Sequence, residues 1–155
     1  MRPVPMSKRV EELRLRLASV DEHEALEALM RRASLANEDD RPNLEAHPDA
    51  IDLPVEQIAR GDVVVAELDG RPAGFAAVVA EEHHAELDGL FVEPEQWRRG
   101  IGAALVDAAV HKARRQGLAL MVVANPAARE FYERCGFTLE GEAITRFGPA
   151  LRMSR

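Results

Sequence analysis

One cysteine, one tryptophan and one tyrosine occur among the 155 residues, and aromatic residues make up only 5%. The lone thiol, Cys135, has no partner within the chain, which excludes an internal disulfide scaffold and fits a reducing cytoplasm. No apolar run approaches the ~20 residues a membrane-spanning helix needs; the longest are 73–80 and 117–124. The opening MRPVPMSKRVEELR lacks an apolar core segment, so it does not read as a secretory signal. Repeats, low-complexity tracts and Gly/Ser-rich linkers are missing. A net charge of −7 with sparse aromatics disfavours nucleic-acid binding. No metal site is expected either. His83 and His84 are adjacent, so an extended backbone would point them to opposite sides, and His47 alone does not complete a ligand set.

What remains is ordinary for a folded domain: 46% hydrophobic and 30% charged residues. Residues 1–155 read as a single domain, with 1–9 expected to be a flexible tail. A chain of this length buries about two thirds of its unfolded surface and needs no metal or disulfide to fold. The charge is unevenly spread. Residues 1–96 carry −12 and residues 97–155 carry +5. The second part suits an anionic ligand and the first a cationic one, although patchiness alone is also compatible with a solvated surface.

Periodicity supplies the elements. Residues 10–17 end in apolar/polar alternation through Leu13, Leu15 and Leu17, a strand pattern. Ser19 or Asp21 can cap a helix over 22–35 whose apolar stripe is Ala25, Leu26, Leu29, Met30 and Ala33. Residues 37–53 read as loop with room for a short helix, and 54–60 as a short helix opened by Pro54. Strands follow at 62–68, 73–80 and 85–92, the first two joined by Asp69-Gly70, a strong hairpin signal. A helix over 100–116 ends at Gly117. A strand at 118–124, a helix at 126–135 ended by Gly136, and strands at 137–143 and 150–153 complete the order. The expected fold class is α/β: a mixed sheet flanked by helices.

The segment LDGLFVEPEQWRRGIGAAL carries the most chemistry. A strand ends near Val92 and a helix begins near Gly100. The first amides of a helix lack intrahelical partners, and its dipole adds positive potential there. Arg98 and Arg99 add two formal charges, and Gly100 and Gly102 permit close backbone approach. Together these favour a phosphate, although a plain helix start has the same local pattern. The third glycine of a dinucleotide fingerprint is missing, and no Gly-Lys-Ser/Thr loop exists.

Trp97-Arg98-Arg99-Gly100-Ile101-Gly102 resembles the Gln/Arg-x-x-Gly-x-Gly/Ala motif of the GCN5-related N-acetyltransferases. Trp97 stands where Gln or Arg is usual. Leu90-Phe91-Val92-Glu93-Pro94 is similar to the end of that family's fourth strand. The run from Asn125 through Tyr132-Glu133 to Gly136-Phe137 resembles its second motif. Over roughly 10–154, the resemblance implies a splayed sheet of about seven strands with about four helices. It implies acetyl-CoA as co-substrate, held between strands 85–92 and 118–124. Its pantetheine would pair with the backbone of Leu90 and Val92. Its pyrophosphate would lie on the amides of Arg98, Arg99, Gly100, Ile101, Gly102 and Ala103. Asn125 would offer its side-chain amide to the pantetheine arm.

The implied reaction is direct acetyl transfer to a primary amine of a small molecule or protein. The amine must lose a proton, since alkyl ammonium groups titrate near ~10. An oxyanion donor, here a backbone N–H near Phe91, would steady the carbonyl oxygen. The family's thiolate-protonating tyrosine corresponds to Tyr132, for which a packing role is the alternative. Glu86 and Asp88, two apart on a strand, share a face. Histone-acetylating members place a carboxylate where Asp88 stands. Either could be the base, directly or through water; a solvated face or a substrate counter-charge is the other reading. Glu38-Asp39-Asp40 could attract a cationic acceptor or be a solvated loop. Cys135 reads as packing rather than nucleophile. Two alternatives differ in class: an acyl-CoA-binding or regulatory module without turnover, and a nucleotide-binding protein using the same helix start. The resemblance leaves a homodimer open.

Overall fold

The structure is a computed structural model describing residues 12–155. The expected flexible tail at 1–9, and Val10 at the start of the first strand, lie outside the described residues. Seven strands form one sheet: β1 (Leu13–Leu17), β2 (Val63–Leu68), β3 (Arg71–Ala80), β4 (Ala85–Val92), β5 (Leu120–Ala124), β6 (Thr138–Thr145) and β7 (Gly148–Ser154). Their spatial order is β1-β2-β3-β4-β5-β7-β6, and among the described residues only the β4–β5 pair is parallel. Five α-helices accompany them: α1 (His23–Ala36), α2 (Arg41–Ala46), α3 (Val55–Ala59), α4 (Ile101–Arg115) and α5 (Arg129–Arg134). No described helix is long and apolar enough to cross a membrane.

Local chemistry accounts for most boundaries. Asp69 and Gly70 both take left-handed φ values, 50° and 79°, which makes the tight primed turn between β2 and β3. The segment 37–53 is more ordered than its polar composition suggests. It holds α2 and a 3-10 turn, Pro48–Ala50, each started by proline. The expected helix over 126–135 divides into a 3-10 turn, Pro126–Ala128, and α5, because Asn125 Oδ1 accepts from the Ala127 amide and tightens the first turn.

The core lies on both faces of the sheet. On one, α4 lays Leu105, Val106, Ala109 and Val110 against Ala76, Val78 and Leu87. On the other, α1 contributes Leu26 and Leu29 to a cluster with Val63, Val65 and Phe75. Ala25, placed in the α1 stripe by sequence, is exposed: its neighbour Leu26 already fills the contact.

Two irregularities shape the middle of the sheet. Asp88 is a bulge: Leu87 pairs with Val78 and Gly89 with Ala77, leaving Asp88 unpaired between them. Alternation therefore resets, so Phe91 pairs with Phe75 on the α1 face while Leu90 and Val92 turn to the α4 face. Beyond this, β4 and β5 pair only through Ala85–Leu120 and Glu86–Met121 and then part. From Leu87 onward β4 has β3 on one side and an open edge on the other, which is the expected splay.

Candidate active site

A cavity of about 920 Å³ lies between the end of β4, the start of α4, α5 and the end of α1. Leu90, Phe91 and Val92 of β4 form its floor, and Gln96, Trp97, Arg98, Gly100, Ile101, Gly102 and Ala103 form its rim. Three segments separated in sequence thus converge: the end of α1, the loop into α4, and α5 with the C-terminal Arg155.

The rim is built by backbone conformation. Gly100 is the N-cap of α4 with φ 82°, and no side chain caps the helix. The amides of Ile101, Gly102 and Ala103 precede the first intrahelical bond, from Ala104 N to Gly100 O. Arg98 also lies in the left-handed region, at φ 66°. That conformation costs a non-glycine residue of order 1 kcal/mol or more. A Cβ on Gly102 would stand 3.3 Å from Phe131 Cζ, so a larger residue here would push on the Phe131 ring where α4 approaches α5. Arg99 bonds Gln96 Oε1 at 2.9 Å and is not part of the cavity wall.

Further bonds hold this rim in place. Arg32 of α1 makes a bidentate pair with Glu93 at 2.9 and 2.6 Å, tying α1 to the end of β4. Trp97 Nε1 donates to the Val92 carbonyl at 2.7 Å. In the sequence Trp97 is a departure from the motif, and nothing local signals this bond.

Tyr132 stands one layer behind the wall. It is 8% exposed, and Phe131 lines the cavity in front of it, ring centroids 5.1 Å apart. Gly136, at φ 88°, explains its position. The Gly136 and Phe137 amides bond the Glu133 and Tyr132 carbonyls, a glycine-ended helix stop that brings Phe137 edge-on to Tyr132 at 5.4 Å. Burial pushes the Tyr132 phenol up to about 12, with a smaller contribution from Cys135. Cys135 lines the cavity, and burial raises its thiol too.

The remaining candidates are placed elsewhere. Gln57 Nε2 of α3 donates to Asp88 Oδ2 at 3.1 Å, and Glu86 pairs with His84 at 2.9 Å. Neither carboxylate lines the cavity. Asn125 does not line it either; its Nδ2 donates to Asp40 Oδ1 at 3.1 Å. Asp40 does line it, as do Arg134 and Arg155. Asp40 belongs to the acidic run Glu38-Asp39-Asp40 named above as able to attract a cationic acceptor. For Arg134 and Arg155 the charge asymmetry of the chain is the one signal.

The model of the acetyltransferase (GNAT) family matches residues 26–137. The protein named "Uncharacterized N-acetyltransferase MJ1207" of Methanocaldococcus jannaschii is 36% identical over 84 residues, 47% of this chain and 37% of that one. "Uncharacterized N-acetyltransferase YafP" of Escherichia coli is 37% identical over 82 residues, 53% of this chain and 49% of that one. The chain thus spans less than half the length of these curated relatives. The crystal structure of the PaiA N-acetyltransferase of Thermoplasma acidophilum, in complex with coenzyme A, superposes with a TM-score of 0.76 at 20% identity, over 93% of this chain and 98% of that one. With both motifs on one cleft and a family match over most of its length, this chain belongs to the GNAT acetyltransferase family.

Proposed function

We propose that the protein is an acetyl-CoA-dependent N-acetyltransferase that moves an acetyl group directly to a primary amine. One observation carries this reading: the end of β4, no longer paired with β5, and the uncapped start of α4 line one cavity. The residues fit the co-substrate. The amides of Ile101, Gly102 and Ala103 and the charge of Arg98 suit a pyrophosphate. The free edge of β4 at Leu90 and Val92 suits an added extended arm. The coenzyme A bound to the Thermoplasma neighbour supports the same ligand.

When bound, acetyl-CoA supplies an activated thioester. The chain's part is to grip it, receive the amine and move protons. Tyr132 remains protonated at neutral pH, because burial holds its phenol near 12, and so keeps a proton to donate to a departing thiolate. A backbone N–H near Phe91 is the proposed donor to the carbonyl oxygen. Asp88 or Glu86 is the proposed base, acting through water since neither reaches the cavity wall. A reducing cytoplasm belongs to this reading, on the single thiol of Cys135.

Calorimetric titration with acetyl-CoA and release of free CoA thiol on adding an amine form the test. Gly102→Asp should abolish binding, by bulk against Phe131 and by repulsion of phosphate, with the fold retained. Unchanged affinity in that variant would refute the loop assignment. Tight binding with no turnover on any amine would mark a binding module instead.

A further inference from the structure

A second, smaller cavity of about 180 Å³ opens from the main cleft. Ser34, Asp40 and Phe91 line both spaces, so they mark the junction. Beyond the junction the wall is mostly apolar: Met30 of α1, Leu44 of α2, Ala50, Ile51 and Phe147 from the β6–β7 turn, with Asn43 of α2 the one polar side chain among them. That turn is fastened across the gap. Arg146 pairs with Asp49 at 3.4 Å and lies over the Phe147 ring at 4.8 Å, while His47 packs on Phe147 at 5.7 Å. No lysine or arginine lines the pocket. Its charged group is Asp40, whose Oδ1 accepts from Asn125 while Oδ2 has no hydrogen-bond partner among the described residues.

From this geometry we infer the class of acceptor: a small primary monoamine with a compact apolar body, branched alkyl or phenylalkyl, whose ammonium is first held by Asp40 at the junction. The inference rests on the acetyl-transfer reading above. Size and charge both enter. A volume of 180 Å³ is about six waters at ~30 Å³ each, below the ~300 Å³ at which drug-sized ligand pockets begin. A second ammonium carried into this pocket would meet no second carboxylate, since Asp40 is the one charged side chain that lines it. Polyamines and aminoglycosides are disfavoured on that ground. In the reaction the nitrogen–carbon bond forms as the carbon–sulfur bond breaks. Of the two protons the ammonium gives up, one goes to the departing sulfur and one to water.

The test is a steady-state comparison of isoamylamine and phenethylamine with spermidine, kanamycin and a peptide N-terminus, read by CoA thiol release. Either monoamine should exceed the other acceptors at least about tenfold in kcat/KM, the scale of one charge-assisted contact. Asp40→Asn keeps the acceptor oxygen for Asn125 and should raise KM for the monoamine about tenfold, a larger change than in the Kd for acetyl-CoA. Phe147→Ala, at a half-exposed turn, should lower kcat/KM for phenethylamine without altering acetyl-CoA affinity. Preference for spermidine, kanamycin or the peptide, no turnover of either monoamine by a protein that binds acetyl-CoA, or unchanged KM in both variants overturns the inference alone. Absence of acetyl-CoA binding overturns it together with the reading beneath it.

Discussion

Trp97 Nε1 donates to the carbonyl of Val92 at 2.7 Å, folding the loop before α4 onto the last residue of β4. Val92 is the residue whose backbone the co-substrate's arm was expected to meet. A carbonyl oxygen has two lone pairs, so the indole and a ligand can share it. The side chain where the family pattern has Gln or Arg thus works through loop shape rather than charge. Trp97→Phe removes one hydrogen bond worth about 1 kcal/mol and should weaken acetyl-CoA about fivefold by calorimetry, with circular dichroism unchanged. Unaltered affinity would show that the indole does not shape the loop.

Gly74 marks another close approach. A Cβ there would lie 2.7 Å from the Phe91 carbonyl oxygen and 3.1 Å from Leu105 Cδ1. Backbone cannot yield as a flexible side chain does, so Gly74→Ala should cost about 2 kcal/mol and lower Tm by roughly 4–8 °C. Gly141→Ala is the control. Nothing lies within 4 Å of a Cβ at that position, and Tm should hold there.

Tyr132 is the chain's single tyrosine, so tyrosinate absorbance reports it alone. The folded protein should titrate near 12, and the urea-unfolded chain near ~10. A phenol raised by burial stabilises the fold fully below the unfolded value, and this is lost as pH climbs through the folded one. Alkaline unfolding should therefore set in between those values and move higher in Tyr132→Phe. The same variant should lower kcat about a hundredfold while leaving acetyl-CoA affinity near wild type. An unchanged kcat would remove Tyr132 from the mechanism.

Arg16 of β1 bonds Glu67 of β2 at 3.1 Å and also pairs with Glu22, joining the edge strand to the start of α1. The hydrogen bond from Arg16 is the main reason the Glu22 carboxyl is lowered. A lowered carboxyl stabilises the fold above its unfolded value of about 4.3, and this is lost as pH falls through the folded one. Arg16→Met should lower Tm at neutral pH by roughly 2–4 °C, the equivalent of about 1 kcal/mol. The gap should close below about pH 4, in scanning calorimetry at both acidities. A gap independent of pH would assign the loss to packing of the arginine stem.

Most elements and the glycine loop before α4 could be read from residues alone, because their causes are local. Alternation marked β1, Asp69-Gly70 the turn between β2 and β3, and Gly100, Gly117 and Gly136 the helix ends. The uncapped amides of α4 follow from where a helix starts, whatever surrounds it. Fold and site differ from that reading where distant segments meet. The two-residue spacing of Glu86 and Asp88 says nothing of a bulge, which arises from register against β3. Asn125 and Asp40 are 85 positions apart, and their bond diverts an amide expected at the co-substrate. The small pocket takes side chains from α1, α2, the segments flanking α2, β4 and the β6–β7 turn, with no common spacing. Side-chain type and local backbone preference depend on near neighbours, whereas a cavity depends on which surfaces the packed sheet brings face to face.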